Sequence, residues 1–562
     1  MQLMPYPVIV QALADNDIAK IQKGRKTCLA ILKHSPDHLI CLRLIAEIDY
    51  QAGRFEQAEK WLGQALKLEP DSEELNFNYA LTLVKQKKYA EALAVSQHRV
   101  RTNPHQAEAF FHLGIIYEEA GQRTDAIAAY QTALQLAPDD IESLHRLGTA
   151  LMTADKLAEA EQCFRRIIAL DPNDADALNC LGNIANCQGQ FDHSIAFYKQ
   201  ALALRPNYPI PLGNLATALE SAGKLTEAIA VYRQSIALDP ECLKPQFNLA
   251  LSLLANGQMD EGWRAFEKRT ELIQLFADRQ EITKPLWRGE AGNGQTVLIR
   301  AEQGYGDTIQ FCRYMPLVAA RGYQVILEVQ PPLVRLLTSL SGPQQVVAYG
   351  DPLPAVDYYC PLMSLPFVFH TQLETIPDKI PYLTVPKESR DEWQQRMPAA
   401  EHTPLKVGIA WAGKQRNASL ELAVTDRRRS IDPSLFAPLL AVPGIQFYSL
   451  QKMGPEAPAE FAFIDMMAEC DDFSDTAALI MNLDLVISVD TAVAHLAGAL
   501  GKKVWLLNRF DSCWRWLRLR DDSPWYPTLR IFRQPQPGDW HSVILSVQKE
   551  LKKSREEVLR YM

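Results

Sequence analysis

The chain has 562 residues, 47% hydrophobic and 22% charged, with a net charge of −9. That length exceeds one ordinary core and implies two or three folded domains. The acidic balance argues against nucleic-acid binding, and ten cysteines without a CxxC pair argue against zinc ribbons and a disulfide framework, leaving reduced thiols in a cytoplasm as the expectation.

The start, MQLMPYPVIVQALADND, lacks a basic region followed by a long apolar run, so no signal peptide is expected. No stretch approaches the roughly 20 apolar residues of a membrane span. From there a 34-residue period takes over. Prolines recur at Pro36, Pro70, Pro104, Pro138, Pro172, Pro206 and Pro240. Gly53, Gly121, Gly189, Gly223 and Gly257 form a second ladder, with Lys87 and Asp155 in its gaps. Small residues form two more, one of Ala80, Gly114, Gly148, Gly182, Ala216 and Ala250, the other of Ala58, Ala92, Ala126, Ala160, Ser194 and Ala228. A fifth carries Tyr130, Phe164, Tyr198, Tyr232 and Phe266. Each unit reads as two amphipathic helices. The Gly ladder ends the first helix in a left-handed turn, the proline closes the second, small residues let helices approach, and the aromatic is expected between neighbouring units. One such pair cannot bury its own apolar face, so the units must stack.

The segment 109–138, AFFHLGIIYEEAGQRTDAIAAYQTALQLAP, resembles a tetratricopeptide repeat. The resemblance covers about residues 5–276, with seven clear repeats from 39 and a degenerate one before them. It implies a groove that binds extended peptides or protein surfaces. Asn78, Asn214 and Asn248 share one repeat position, where an amide suits a peptide backbone. The arrays of O-linked N-acetylglucosamine transferases are similar in this. Leu44, His112, Arg146 and Cys180 break the ladder, and a merely solvated Asn is the alternative.

Residues 277–293 read as a linker, with Trp287 placed to pack the array against the second half of the chain. From 294, short apolar runs alternate with helices, pause at the Pro-rich stretch 375–386, and resume at LKVGIAWAG. That alternation implies parallel sheets in two halves, 294–385 and 386–562, with ligands beyond the carboxyl ends of the strands. Three loops stand out. AEQGYGDT carries Gly304, Gly306 and Asp307, either a ligand-approaching turn or a plain helix cap. The stretch 412–436 reads as a basic loop with Lys414, Arg416 and Arg427 to Arg429, suited to phosphate oxygens. SVDTAVAHLAGALG carries Asp490, Thr491 and His495, the last two on one helix face; a satisfied core histidine is the alternative. GIAWAGK is not a phosphate-binding P-loop, because Gln415 stands where Ser or Thr is needed.

Together the loops resemble glycosyltransferase family 9, the heptosyltransferase-like enzymes of GT-B type. Gly306–Asp307 matches its early GD, Arg429 its basic residue, and Asp490 to Ala497 its late D-[ST]-G-x-x-H-x-A segment, with Ala492 in place of Gly. RRRSIDPSLF is also similar to a stretch of O-linked N-acetylglucosamine transferases. The resemblance implies an all-α tetratricopeptide superhelix followed by an α/β GT-B domain of two Rossmann-like halves with a final crossover helix. It implies an inverting, metal-independent glycosyltransferase with no cofactor. Its co-substrate would be a nucleotide-diphosphate-sugar and its acceptor a protein or peptide. Asp307 would be the general base, and Gly304, Gly306, Lys414, Arg429, Asp490, Thr491 and His495 would form the donor site. Two alternatives stand: a non-catalytic scaffold with a degenerate transferase-like domain, and an enzyme with a glycan or lipid-linked acceptor. Trp514, Trp516 and Trp525 are expected in the interdomain cleft or on a sugar, with core packing as the alternative.

Overall fold

The structure, a computed structural model, describes residues 17–272, 282–302, 304–398, 405–416 and 419–561. All but the last residue of the segment weighed for a signal peptide, and the first residues of the expected linker, lie outside them. The chain divides into two compact units between Ile184 and Ala185, whereas the sequence places its first expected boundary at 276.

The first unit is helical throughout its described residues. Helix Ile18–His34 is followed by the pairs Leu39–Gln51 with Phe55–Leu68, Glu73–Lys85 with Tyr89–Thr102, Ala107–Glu119 with Arg123–Leu136, and Ile141–Thr153 with Leu157–Leu170. Each pair starts 34 residues after the last, as the ladders require. Polar residues after the prolines start the helices: Ser72, Asp140 and Asp174 accept the backbone N–H of Leu75, Ser143 and Ala177. All seven positions of the Gly ladder are left-handed, Lys87 at φ +62° and Asp155 at +61° included. The aromatic ladder differs from expectation. A Cβ on Gly114 would lie 2.5 Å from Tyr130, and one on Gly148 2.7 Å from Phe164. At these two rungs the ring fills the seam inside its own helix pair, against the small residue sixteen positions earlier.

The second unit begins with the last helices of the same period: Phe191–Leu204, Pro209–Ser221 with Leu225–Leu238, Leu243–Ala255 with Met259–Phe266, and the short Arg269–Leu272. Two wholly parallel sheets come next. The first contains β1 (Thr296–Arg300), β2 (Gln324–Val329), β3 (Pro343–Ala348) and β4 (Tyr358–Pro361) in the order β3-β2-β1-β4. The second contains β5 (Leu405–Ala410), β6 (Ile445–Ser449), β7 (Ile464–Asp465), β8 (Leu485–Val489), β9 (Val504–Asn508) and β10 (Leu529–Arg533) in the order β10-β9-β8-β5-β6-β7. Val297, Leu298, Ile299, Val486 and Ile487 are fully buried, as strands covered on both faces must be. The strand order reverses at β1/β4 and at β5/β8, so the loops after β1, β5 and β8 stand at the switch points.

Three expectations are corrected. Residues 420–429 are helix rather than loop; Ser419 caps Leu422, and Leu, Glu, Ala and Arg are good helix formers. Among the described residues the last helix, Trp540–Tyr561, packs on the second half. Val543, Ile544, Val547 and Leu551 join the core of the second sheet, and Gln548 Nε2 donates to the Pro438 carbonyl at 2.5 Å. Trp287 packs edge-on against Tyr323 and Phe369 of the first sheet's layer rather than fastening the array. Trp263 of the last repeat does that instead: it is 1% exposed, donates to the Thr371 carbonyl at 3.0 Å, and meets Trp514 edge to face at 5.3 Å.

Candidate functional site

The loop after β1 enters helix Tyr305–Phe311 at Gly304, whose N–H donates to Asp307 Oδ2 at 3.0 Å. Asp307 therefore is a cap, and it is more than that. Its Oδ1 forms an ion pair with Arg515, on the loop after β9. Arg515 also donates to Gln310 Oε1 at 2.7 Å and stacks over Trp514. Burial is the largest influence and works against the Arg515 charge, but Asp307, Cys513 and Asp490 together outweigh it and hold the guanidinium above its ordinary pKa.

Gly306 is where the two halves meet. A Cβ there would lie 2.8 Å from the His495 ring and 3.6 Å from the Ala492 backbone, so only glycine lets helix Tyr305–Phe311 abut helix Ala492–Ala499. His495 lies 3.8 Å from Asp490, shares a hydrogen bond with Tyr526 at 2.9 Å, and stacks on Trp516. Burial pushes its pKa down to about 4 despite Asp490, so the imidazole is neutral at physiological pH. Thr491 pairs with the Ser488 hydroxyl at 3.1 Å.

On the other side of Asp490 stands Arg429. It donates to the Asp490 carbonyl at 3.4 Å and to the Lys414 carbonyl at 3.5 Å, and pairs with Asp426 at 2.8 Å. Gly413 leaves room for that guanidinium: a Cβ there would fall 2.7 Å from Arg429, which would have to shift. Buried Asp426 takes Arg416 as well, and Arg428 pairs with Asp511, so much of the basic run is internally neutralised. Lys414 is exposed. The structure thus links Gly304, Gly306, Asp307, Lys414, Arg429, Asp490, Thr491 and His495 in one cluster across two sheet edges.

The Asn ladder is not a row of free amides. Asn78, Asn214 and Asn248 are half-buried, and Asn248 hydrogen-bonds the buried Tyr232 hydroxyl together with Thr217 and Glu220. Trp514, Trp516 and Trp525 are all core. Sequence reasoning missed Arg515, Tyr526, Asp426 and Glu302. The Trp/Arg/Asp-rich run after β9 was the available signal for the first two. Among the described residues no group of three or more His, Cys, Asp or Glu is arranged to hold a metal, and no helix is long and apolar enough to cross a membrane.

Residues 92–209 match the TPR domain family of cytochrome c-type biogenesis protein H, and residues 43–97 and 214–270 match a tetratricopeptide repeat family. The N-terminal ~270 residues are therefore a tetratricopeptide array, a module that binds proteins. Protein FlbA of Caulobacter vibrioides is 28% identical over 309 residues, 50% of each chain. The chain thus spans about half the length of that curated relative. The crystal structure of MamA is 25% identical over 28% of this chain and 93% of its own, with a TM-score of 0.27. A tetratricopeptide repeat protein from Parabacteroides merdae is 20% identical over 41% and 92%, with a TM-score of 0.36.

Proposed function

We propose that the chain is a protein-binding repeat array joined to a GT-B glycosyltransferase of two Rossmann-like halves, moving a sugar from a nucleotide-diphosphate-sugar to a protein or peptide acceptor. The observation that carries this reading is the convergence of residues nominated from three separate loops on the switch-point edges of both sheets. Asp307 takes the acceptor proton as the acceptor atom bonds the anomeric carbon, the bond from that carbon to the diphosphate oxygen breaks with its electrons leaving on the diphosphate, and Lys414, Arg429 and Arg515 stabilise the departing charge. Neutral His495 serves there as a hydrogen-bonding group and not as a cation. The array binds the acceptor.

A second reading, a protein-interaction scaffold whose sheets are structural, has the more direct support from the comparisons, because the matched families describe binding repeats alone. It also draws support from Asp307, whose two carboxylate oxygens already have partners. Binding and hydrolysis of ADP-, UDP- and GDP-sugars by the full chain separate the two. In the transferase reading one donor binds and is hydrolysed, and Asp307→Asn lowers turnover by about 10²–10⁴-fold with donor affinity kept within a few-fold, as loss of a general base does. A full chain that binds none of these donors leaves the scaffold.

A further inference from the structure

The last repeats reach the cluster by two routes. Arg269, in the short helix that closes the array, forms a two-pronged bond with Glu302: Nε to Oε2 and Nη2 to Oε1, both 2.8 Å. Both side chains are fully buried. The Met363 N–H completes the Glu302 carboxylate at 3.0 Å, and Ser364, Glu267 and the Phe266 carbonyl take the remaining Arg269 donors. Glu302 stands two residues before Gly304, on the loop that delivers Asp307. The other route runs through the loop after β9. Arg518 donates to the Glu220 carbonyl at 2.9 Å and to the Phe510 carbonyl at 2.9 Å. Trp514 lies against Trp263 and Phe266. Arg515 stands between Trp514 and Arg518 in the chain.

A buried ion pair adds little net stability, since desolvation offsets its attraction. What a guanidinium fork on a carboxylate does is fix orientation. Placed on Glu302, that fork orients the loop that leads into Asp307. We infer that the closing helix and last repeats are a working part of the site, with Arg269 and Arg518 as positioning residues that hold the two partners of the Asp307–Arg515 pair in register. In this arrangement the array does two things: it offers a surface to a partner, and it sets the geometry of the loops after β1 and β9. The chemical consequence rests on the transferase reading; the structural coupling does not.

The test uses the full chain with Arg269→Lys and Arg518→Lys, which keep the charge and lose the fork, and Arg233→Ala as a control on an exposed pair with Glu261 in the same repeats. Hydrogen exchange is read over 298–312 and 507–518. Arg269→Lys speeds exchange in the first window and Arg518→Lys in the second, each by on the order of tenfold, while the control moves neither. With the hydrolysed donor, both Lys variants lower kcat by about 10- to 100-fold and leave donor KM unchanged, the mark of misplacement rather than lost binding. Unchanged exchange in both windows overturns the inference. If Arg269→Lys unfolds, Arg518→Lys alone decides. Changed exchange in a chain whose wild type binds no nucleotide sugar upholds the coupling and removes the transferase reading.

Discussion

His495 is surrounded by influences of opposite sign. Burial disfavours its charged form, Asp490 and Asp307 favour it, and Arg515 and Arg313 oppose it; burial wins and the pKa falls from 6.5 to about 4. Above pH 6.5 the imidazole is neutral in both folded and unfolded chains. As pH falls from 6.5 toward 4 the unfolded chain takes up a proton that the folded one refuses, so stability present above 6.5 is lost across that window, by about 3 kcal/mol at full extent. Denaturant unfolding of the wild type should therefore weaken more steeply from pH 6.5 to 4 than that of His495→Gln. The variant starts lower at pH 7, having lost the imidazole bond to Tyr526. Parallel slopes for the two chains would mean that the buried imidazole titrates at its ordinary value.

Within the first unit the repeat separates backbone cost from packing cost. Gly121 is left-handed at φ +76° and an added Cβ meets nothing within 4 Å, so Gly121→Ala should lose about 1 kcal/mol through the backbone alone. Lys87 occupies the same rung, and Lys87→Gly should gain several tenths to about 1 kcal/mol by relieving left-handed strain. Gly114→Ala should cost more, about 1–3 kcal/mol, because its Cβ overlaps Tyr130 and the ring has no room inside the pair. Urea unfolding of the three variants ranks these costs, and a stabilising Gly114→Ala would show that the seam is loose. This element was legible because its rule is local: a 34-residue period writes the turn, the small residue and the ring into the sequence. The helix Leu420–Arg429 was hidden by its charge, which suggests a ligand loop although its residue types favour helix. Asp307, Gly306 and His495 were legible as short motifs beside strand ends. Arg515 was not, because its partner Asp307 lies 208 positions away and nothing local marks the pair.

At the scale of the whole chain, the end of the repeat period is not the end of a folding unit. The period ends near residue 272, yet Met259, Trp263 and Phe266 lie in the same hydrophobic core as Ile309, Phe311, Tyr314 and Trp514. Arg269 is buried against Glu302. A cut at the linker, leaving residues 290–562, strips that core of its aromatic cover and leaves the Glu302 charge buried without Arg269. Removing one partner of a buried pair costs about 3–5 kcal/mol, and losing a buried Trp a further 3–5 kcal/mol or so. Their sum is comparable with the roughly 5–15 kcal/mol that holds a typical domain together. Residues 290–562 should therefore be insoluble or unfolded at 25 °C. Residues 173–562 begin before helix Ala175–Cys187 and keep each of these contacts, so they should melt cooperatively. Circular dichroism and thermal melting of the two segments check this directly. A cooperative melt from residues 290–562 near that of the longer segment would mean that Trp263 and Arg269 lie on the sheets without supporting them, and the repeats would then be separable from the α/β part after all.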